Sequence, residues 1–231
     1  MEWIELNGLS FNCNVDLVLC IDATGSMSPV IQMVKDTASS FYEKIVDALG
    51  EKKRIVSHFR VKVMVFRDFY CDGPAALEES DFFTLPGETQ AFKEFVSPIE
   101  AKWGGDEPEN ALEAISIAMN SDWVREGQRQ RHIIMVWTDA SAHPLEKAKL
   151  DRNEYYPKGM PESYQEISDW WNGGEKMANR AKRLIVFAPD AYPWTDIAAE
   201  WSSVVHIASK AGEGLREVEL EVVLACIAGS I

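Results

Sequence analysis

The segment 15–28, Val-Asp-Leu-Val-Leu-Cys-Ile-Asp-Ala-Thr-Gly-Ser-Met-Ser, sets oxygen-bearing side chains at alternate positions: Asp22, Thr24 and Ser26. Alternate residues of an extended segment point the same way, so one carboxylate and two hydroxyls converge. With no thiol or imidazole among them, these donors suit a magnesium-like ion better than a soft metal. The apolar run before Asp22 reads as a buried strand. Ser28 and Pro29 then supply a helix cap and a first helical turn. Strand, oxygen-rich loop and helix in that order put the donors where α/β proteins build their sites. A helix-capping loop that holds no metal would use the same residue types.

Further acids join this loop. Asp68 and Asp139, like Asp22, each follow an apolar strand-like run, so all three belong at one carboxyl edge of a parallel sheet. Asp106-Glu107-Pro108-Glu109 follows a Gly-Gly pair and begins a helix. Several carboxylates converging on one rim repel each other unless a cation or protons intervene. A bound divalent cation is the simplest relief.

The remaining elements must position that edge. Apolar runs predict strands over 16–21, 60–66, 132–138, 184–188 and 204–208, with a short edge strand over 81–85. Val30, Val34, Ala38, Phe41, Ile45 and Leu49 recur at helical spacing, and Gly50 supplies the stop. Helices are expected over 89–97, 107–120, 162–171, 194–201 and 216–227. Strands alternating with helices predict an α/β fold: a doubly wound, mostly parallel sheet of about six strands, one of them a short antiparallel edge strand, with helices on both faces. No composition shift divides the chain, so residues 1–231 read as one domain with an aromatic-rich insertion around 150–175.

Composition narrows the function. The 231 residues carry 37 acidic against 23 basic side chains, a formal charge of −14, which argues against a nucleic-acid partner on electrostatic grounds. Cys13, Cys20, Cys71 and Cys226 are scattered without zinc spacing, so a reducing, cytoplasmic location is expected. No leader-like or membrane-spanning run is read in the sequence, and no membrane partner is expected. His58, His132, His143 and His206 read as structural or loop residues.

Asp22-Ala23-Thr24-Gly25-Ser26 after a hydrophobic strand, with Val136-Trp137-Thr138-Asp139 after another, resembles the von Willebrand factor A (VWA) domain family and its metal-ion-dependent adhesion site (MIDAS). The resemblance covers essentially the whole chain and is to the free-standing intracellular or bacterial type. Many such domains supply a threonine before the fourth helix, and none stands there here. Asp106-Glu107-Pro108-Glu109 is instead similar to the Asp-x-Pro-Glu segment in the VWA-like domains of integrin β-subunits, where the glutamate contacts the adhesion-site metal. The resemblance thus implies a metal set of Asp22, Thr24, Ser26, Glu109 and Asp139. It implies Asp68 and Asp106 as holders of a second ion or as the outer shell of the first, although Gly104 stands where the family has the Asn of that second site.

The implied cofactor is Mg2+, with Mn2+ or Ca2+ as alternatives, and the implied partner is a protein presenting Asp or Glu to an open coordination position. The positive end of the helix beginning at Pro29 favours an incoming anion. Tyr155, Tyr156 and Met160 are candidates for the partner surface. Tyr164, Ile167 and Trp171 share one helix face and read as core. The alternative is a magnesium-dependent phosphohydrolase or phosphotransferase using Asp22 as nucleophile, but no phosphate loop or catalytic motif accompanies it. A non-catalytic, metal-dependent binding module is the expectation.

Overall fold

A computed structural model describes residues 13–51, 56–104, 107–148 and 153–231. One sheet runs through them. Its strands are β1 (Cys13–Asp22), β2 (His58–Phe66), β3 (Leu77–Glu79), β4 (Phe83–Leu85), β5 (Arg129–Trp137), β6 (Lys182–Pro189) and β7 (Val204–Ser209). The order is β3-β2-β1-β5-β6-β7, with β4 also on β2. All pairs from β2 to β7 are parallel, while β3 and β4 run antiparallel to β2.

The mixed α/β architecture is as expected. The edge differs in detail: among the described residues the sheet has seven strands, and two short antiparallel segments replace the single edge strand. Leu77–Glu79 is too short and too polar to show a period of two in the sequence.

The helices are α1 (Ser28–Thr37), α2 (Phe41–Glu51), α3 (Thr89–Val96), α4 (Ala111–Met119), α5 (Tyr164–Gly173), α6 (Trp194–Glu200) and α7 (Leu220–Ser230). The helical stripe from Val30 to Leu49 belongs to two helices, not one. Thr37 Oγ1 bonds back to Met33 O at 2.7 Å and Ser40 N–H to Thr37 O at 2.9 Å, so hydroxyl-rich residues interrupt the ladder. The stripe survives the break, with Val30, Val34, Ala38, Phe41, Ile45 and Leu49 all buried. Gly50 lies inside α2 rather than ending it.

The pleat of β1 sorts the core. Val15, Leu17, Leu19 and Ile21 pack with α1, α2, α3 and α7 on one face. Val18 and Cys20 pack with α4, α5 and α6 on the other. A strand buried on both faces explains why the sequence run is nearly continuous rather than alternating. Tyr164, Ile167 and Trp171 do face inward on α5, and Trp171 stacks on Trp201 with centroids 5.3 Å apart.

The carboxyl ends of β1, β2 and β5 lie side by side, since β1 pairs in parallel with both neighbours. Asp22 ends β1, Arg67-Asp68 follows β2, and Thr138-Asp139 follows β5. That alignment brings residues distant in sequence to one rim.

Candidate metal centre

Asp22 is wholly buried and both of its oxygens are engaged. Oδ1 accepts from Thr24 N–H at 2.9 Å and from Thr24 Oγ1 at 2.7 Å; Oδ2 accepts from Thr138 Oγ1 at 2.7 Å. Ser26 Oγ donates to Asp139 Oδ1 at 2.9 Å, and Gly214 N–H donates to Asp139 Oδ2 at 2.7 Å. Each hydroxyl of the loop therefore directs its proton to a carboxylate. Its lone pairs remain for an electrophile, which is what a hard cation requires.

Glu109 reaches this place by a route the sequence conceals. The spacing predicts a helix over 107–120, but α4 begins only at Ala111. Glu109 forms a single parallel bridge with Ala142 instead: its N–H donates to Ser141 O at 3.0 Å, and its carbonyl accepts from His143 N–H at 2.9 Å. With the N–H and the carbonyl of Glu109 both engaged in that bridge, the helical ladder opens only beyond it, at Ala111. The bridge holds Glu109 beside the loop that follows β5.

Thr24, Ser26, Glu109 and Asp139 line one cavity of ≈ 240 Å³, together with Trp103 and Gly104. Asp22 lies beneath it, as the anchor of Thr24 rather than as a wall. Glu109 is 5% exposed, and its Oε2 has no hydrogen-bond partner among the described residues. Burial, then the negative charges of Asp22, Asp68, Asp72 and Asp139, push its pKa up to about 9. Burial also pushes Asp22 up to about 6, against the pull of its Thr24 and Thr138 hydrogen bonds.

Among the described residues no group of three or more His, Cys, Asp or Glu side chains stands as a ready metal cluster. The donor set here is mixed, with hydroxyls supplying part of it. An orphaned buried carboxylate oxygen beside two hydroxyls whose protons are already engaged fits a hard cation.

Asp68 does not line that cavity. Its Oδ1 accepts from Tyr70 N–H at 2.7 Å, and its Oδ2 lies 3.6 Å from His143 Nε2. Burial raises its pKa, but the His143 hydrogen bond, the Tyr70 N–H, Cys71 and the His143 charge together hold it below the usual range. Asp106 lies outside the described residues. Tyr155 is 46% exposed and Met160 half-buried. Tyr156 corrects the expectation of a partner surface: it is 4% exposed and donates its hydroxyl to buried Glu113 at 2.9 Å. A tyrosine whose ring fills a core and whose hydroxyl finds a carboxylate has no surface left to offer.

Four participants have roles at the site that a reading of the sequence does not reveal. Thr138 stands there only as the residue before Asp139, although a hydroxyl at a strand end is an available signal. The 212–214 turn grips Asp139 twice, with Gly212 N–H on its carbonyl at 2.9 Å and Gly214 N–H on its carboxylate. Arg67 is buried and donates to the carbonyls of Ala23, Ala75, Glu100 and Lys102, tying the loop after β1 to the segment before Gly104. Gly104, with φ +80°, approaches so closely that a Cβ there would stand 2.7 Å from Thr24 Cβ and 3.1 Å from Glu109 Oε1.

A doubly wound α/β sheet with oxygen donors gathered at its carboxyl edge defines a Rossmann-like domain with a candidate hard-cation site. The chain belongs to the von Willebrand factor A domain family, whose model matches residues 16–152. It is 29% identical over 147 residues to the alpha-protein kinase vwkA of Dictyostelium discoideum, covering 64% of this chain and 21% of that protein. Its fold is similar to that of the pilus adhesin SpaC of Lactobacillus rhamnosus GG, with a TM-score of 0.56 at 12% identity over 96% of this chain and 31% of the adhesin. The open conformation of the same adhesin gives 0.53.

The chain thus spans about a fifth of the kinase and under a third of the adhesin. Family membership supports a general adhesion or protein-interaction module, in a family whose domains are generally non-catalytic. Among the described residues no helix is long and apolar enough to cross a membrane.

Proposed function

We propose that this chain is a non-catalytic protein-binding module whose carboxyl-edge site, a MIDAS, holds a divalent cation, Mg2+ first and Mn2+ or Ca2+ as alternatives. An Asp or Glu of a partner protein completes the ion's shell. Thr24, Ser26, Glu109 and Asp139 would hold the ion, and Asp22 would support them from beneath by orienting Thr24. The ion supplies an open coordination position that attracts a carboxylate. The observation that carries this reading is Glu109 Oε2, a buried carboxylate oxygen with no donor among the described residues, in a cavity walled also by hydroxyls whose protons are already engaged.

This chain's own residues set the geometry. Asp22 orients Thr24, Thr138 fixes Asp22, and the 212–214 turn fixes Asp139. Asp68 is assigned to the outer support, because its two oxygens face Tyr70 and His143. Burial of Asp22 beneath the cavity, with both oxygens taken, counts against its use as a phosphoryl-transfer nucleophile. In this reading the module works in the cytoplasm, on the strength of its scattered cysteines.

Calorimetric titration with Mg2+, Mn2+ and Ca2+ tests the site. The wild type is expected to take up an ion and melt higher, Ser26→Ala to bind more weakly, and Asp22→Ala to lose the response. No heat and no melting shift with any of the three ions overturns the reading. A pull-down from source lysate with Mg2+ and with EDTA tests the partner step, and bands indifferent to EDTA count against it.

A further inference from the structure

Trp103 is placed at two costs. Its backbone is in the left-handed region, φ 57°, which a bulky side chain disfavours, and its ring is 61% exposed, although tryptophan is highly buried on average. The surroundings hold it there. Trp103 O accepts from Gly25 N–H at 3.2 Å, and Lys102 N–H donates to Ala23 O at 2.9 Å, so the segment is pinned to the loop that carries Thr24 and Ser26. The Arg67 guanidinium carbon lies 5.6 Å from the ring centroid.

Trp103 borders three concavities, one of them (≈ 390 Å³) shared with Cys71, Asp72 and Gly104 and the other two bearing on the site. Of those two, one is the metal cavity with Thr24, Ser26, Glu109 and Asp139. The other is a groove of ≈ 360 Å³ whose apolar lining comes from Pro74, Leu77, Pro98, Ile99 and Trp103. Glu78 and Glu100 stand at that groove with Arg67 and Lys102, but neither cation is free for a ligand: Lys102 is paired with Glu100, and the Arg67 guanidinium is engaged by four backbone carbonyls. With a formal charge of −14 on the chain, a second acidic side chain on a ligand would meet repulsion beyond the metal.

We propose that Trp103 is the specificity residue of the site. It selects an extended partner segment in which a single acidic residue enters the metal cavity and an apolar or aromatic neighbour packs into the groove against the Trp103 ring. This rests on the metal reading above and adds what a carboxylate alone cannot supply, discrimination among acidic partners. Trp103 lines both the groove and the cavity, so the occupant we infer is one extended segment that reaches both.

A random dodecamer library displayed on phage, panned on the full chain in Mg2+, tests the inference. Recovered clones are expected to carry one acidic residue with an apolar or aromatic neighbour, and to wash off in EDTA. A resynthesised peptide should bind Trp103→Gly about tenfold more weakly, while Trp103→Phe stays within about threefold. Glycine suits the left-handed backbone, so the melting temperature of Trp103→Gly should hold or rise; a fall in proportion to the affinity loss would mark a merely structural tryptophan and overturn the proposal. Clones that need Mg2+ but bind Trp103→Gly as they bind the wild type, or that are polyacidic without an apolar neighbour, overturn the role of Trp103 and leave the metal reading standing. Clones indifferent to EDTA, or no enrichment, overturn both.

Discussion

Thr138 Oγ1 donates to Asp22 Oδ2 at 2.7 Å, joining the ends of two neighbouring parallel strands beneath the candidate metal cavity. With the two bonds from Thr24 on Oδ1, it fixes the Asp22 carboxylate as a support for the Thr24 hydroxyl.

Thr138→Val removes that donor with little change of shape, and leaves a buried carboxylate oxygen short of a partner. A stability loss of about 1–3 kcal/mol is expected, with weaker Mg2+ binding although no proposed ligand is altered. Thr138→Ser should recover most of both. Thermal melts with and without Mg2+ check this, and a Val variant equal to the wild type would show that the bond carries nothing.

Glu109→Gln tests the electrostatic state of the cavity. The Glu109 pKa is raised from an ordinary value of 4.5 to about 9, so the folded chain binds that proton more tightly than the unfolded one. Its stability contribution is therefore complete below about pH 4.5 and is lost as pH rises through about 9. In EDTA the wild type should lose stability relative to Glu109→Gln across that window, and the variant should be the more stable near pH 8. Added Mg2+ should restore the wild type and do less for the variant. Denaturant melts at several pH values read the difference, and parallel pH profiles would refute the account.

Gly104→Ala would force a methyl against Thr24 and Glu109 at a φ of +80°. The expected cost is about 1–3 kcal/mol in stability, with a larger proportional loss of Mg2+ response because both contacts are proposed ligands. Circular dichroism melts alongside metal titration separate the two effects.

Arg67→Lys keeps the charge but cannot reproduce donation to the four carbonyls of Ala23, Ala75, Glu100 and Lys102. A loss of roughly 2–4 kcal/mol is expected, together with faster hydrogen exchange around residues 98–104. Unchanged exchange there would show that the segment is held by other contacts.

Much of the fold is legible in the sequence because the signals are local. Parallel strands buried on both faces declare themselves as apolar runs, as in Leu17–Ile21 and Ile133–Trp137, and the alternation of strands with helices fixes the fold class. The break between α1 and α2 and the extra edge strand β3 escape it because hydroxyl back-bonding and edge pairing leave weak patterns. Tyr156 is misread because an aromatic-rich stretch looks alike whether it faces solvent or a buried Glu113.

The sequence alone determined the donor loop Asp22–Ser26, the strand-terminal acids Asp68 and Asp139, and their shared carboxyl edge, since strand polarity and side-chain alternation are properties of consecutive residues. Only the tertiary structure decided what those residues do for one another. It set Asp22 as an anchor beneath the cavity, turned Asp68 toward His143, brought Glu109 beside Ala142 and raised Trp103 over the rim. Those outcomes depend on hydrogen bonds and close approaches between segments far apart in the chain, and no spacing along the sequence encodes them.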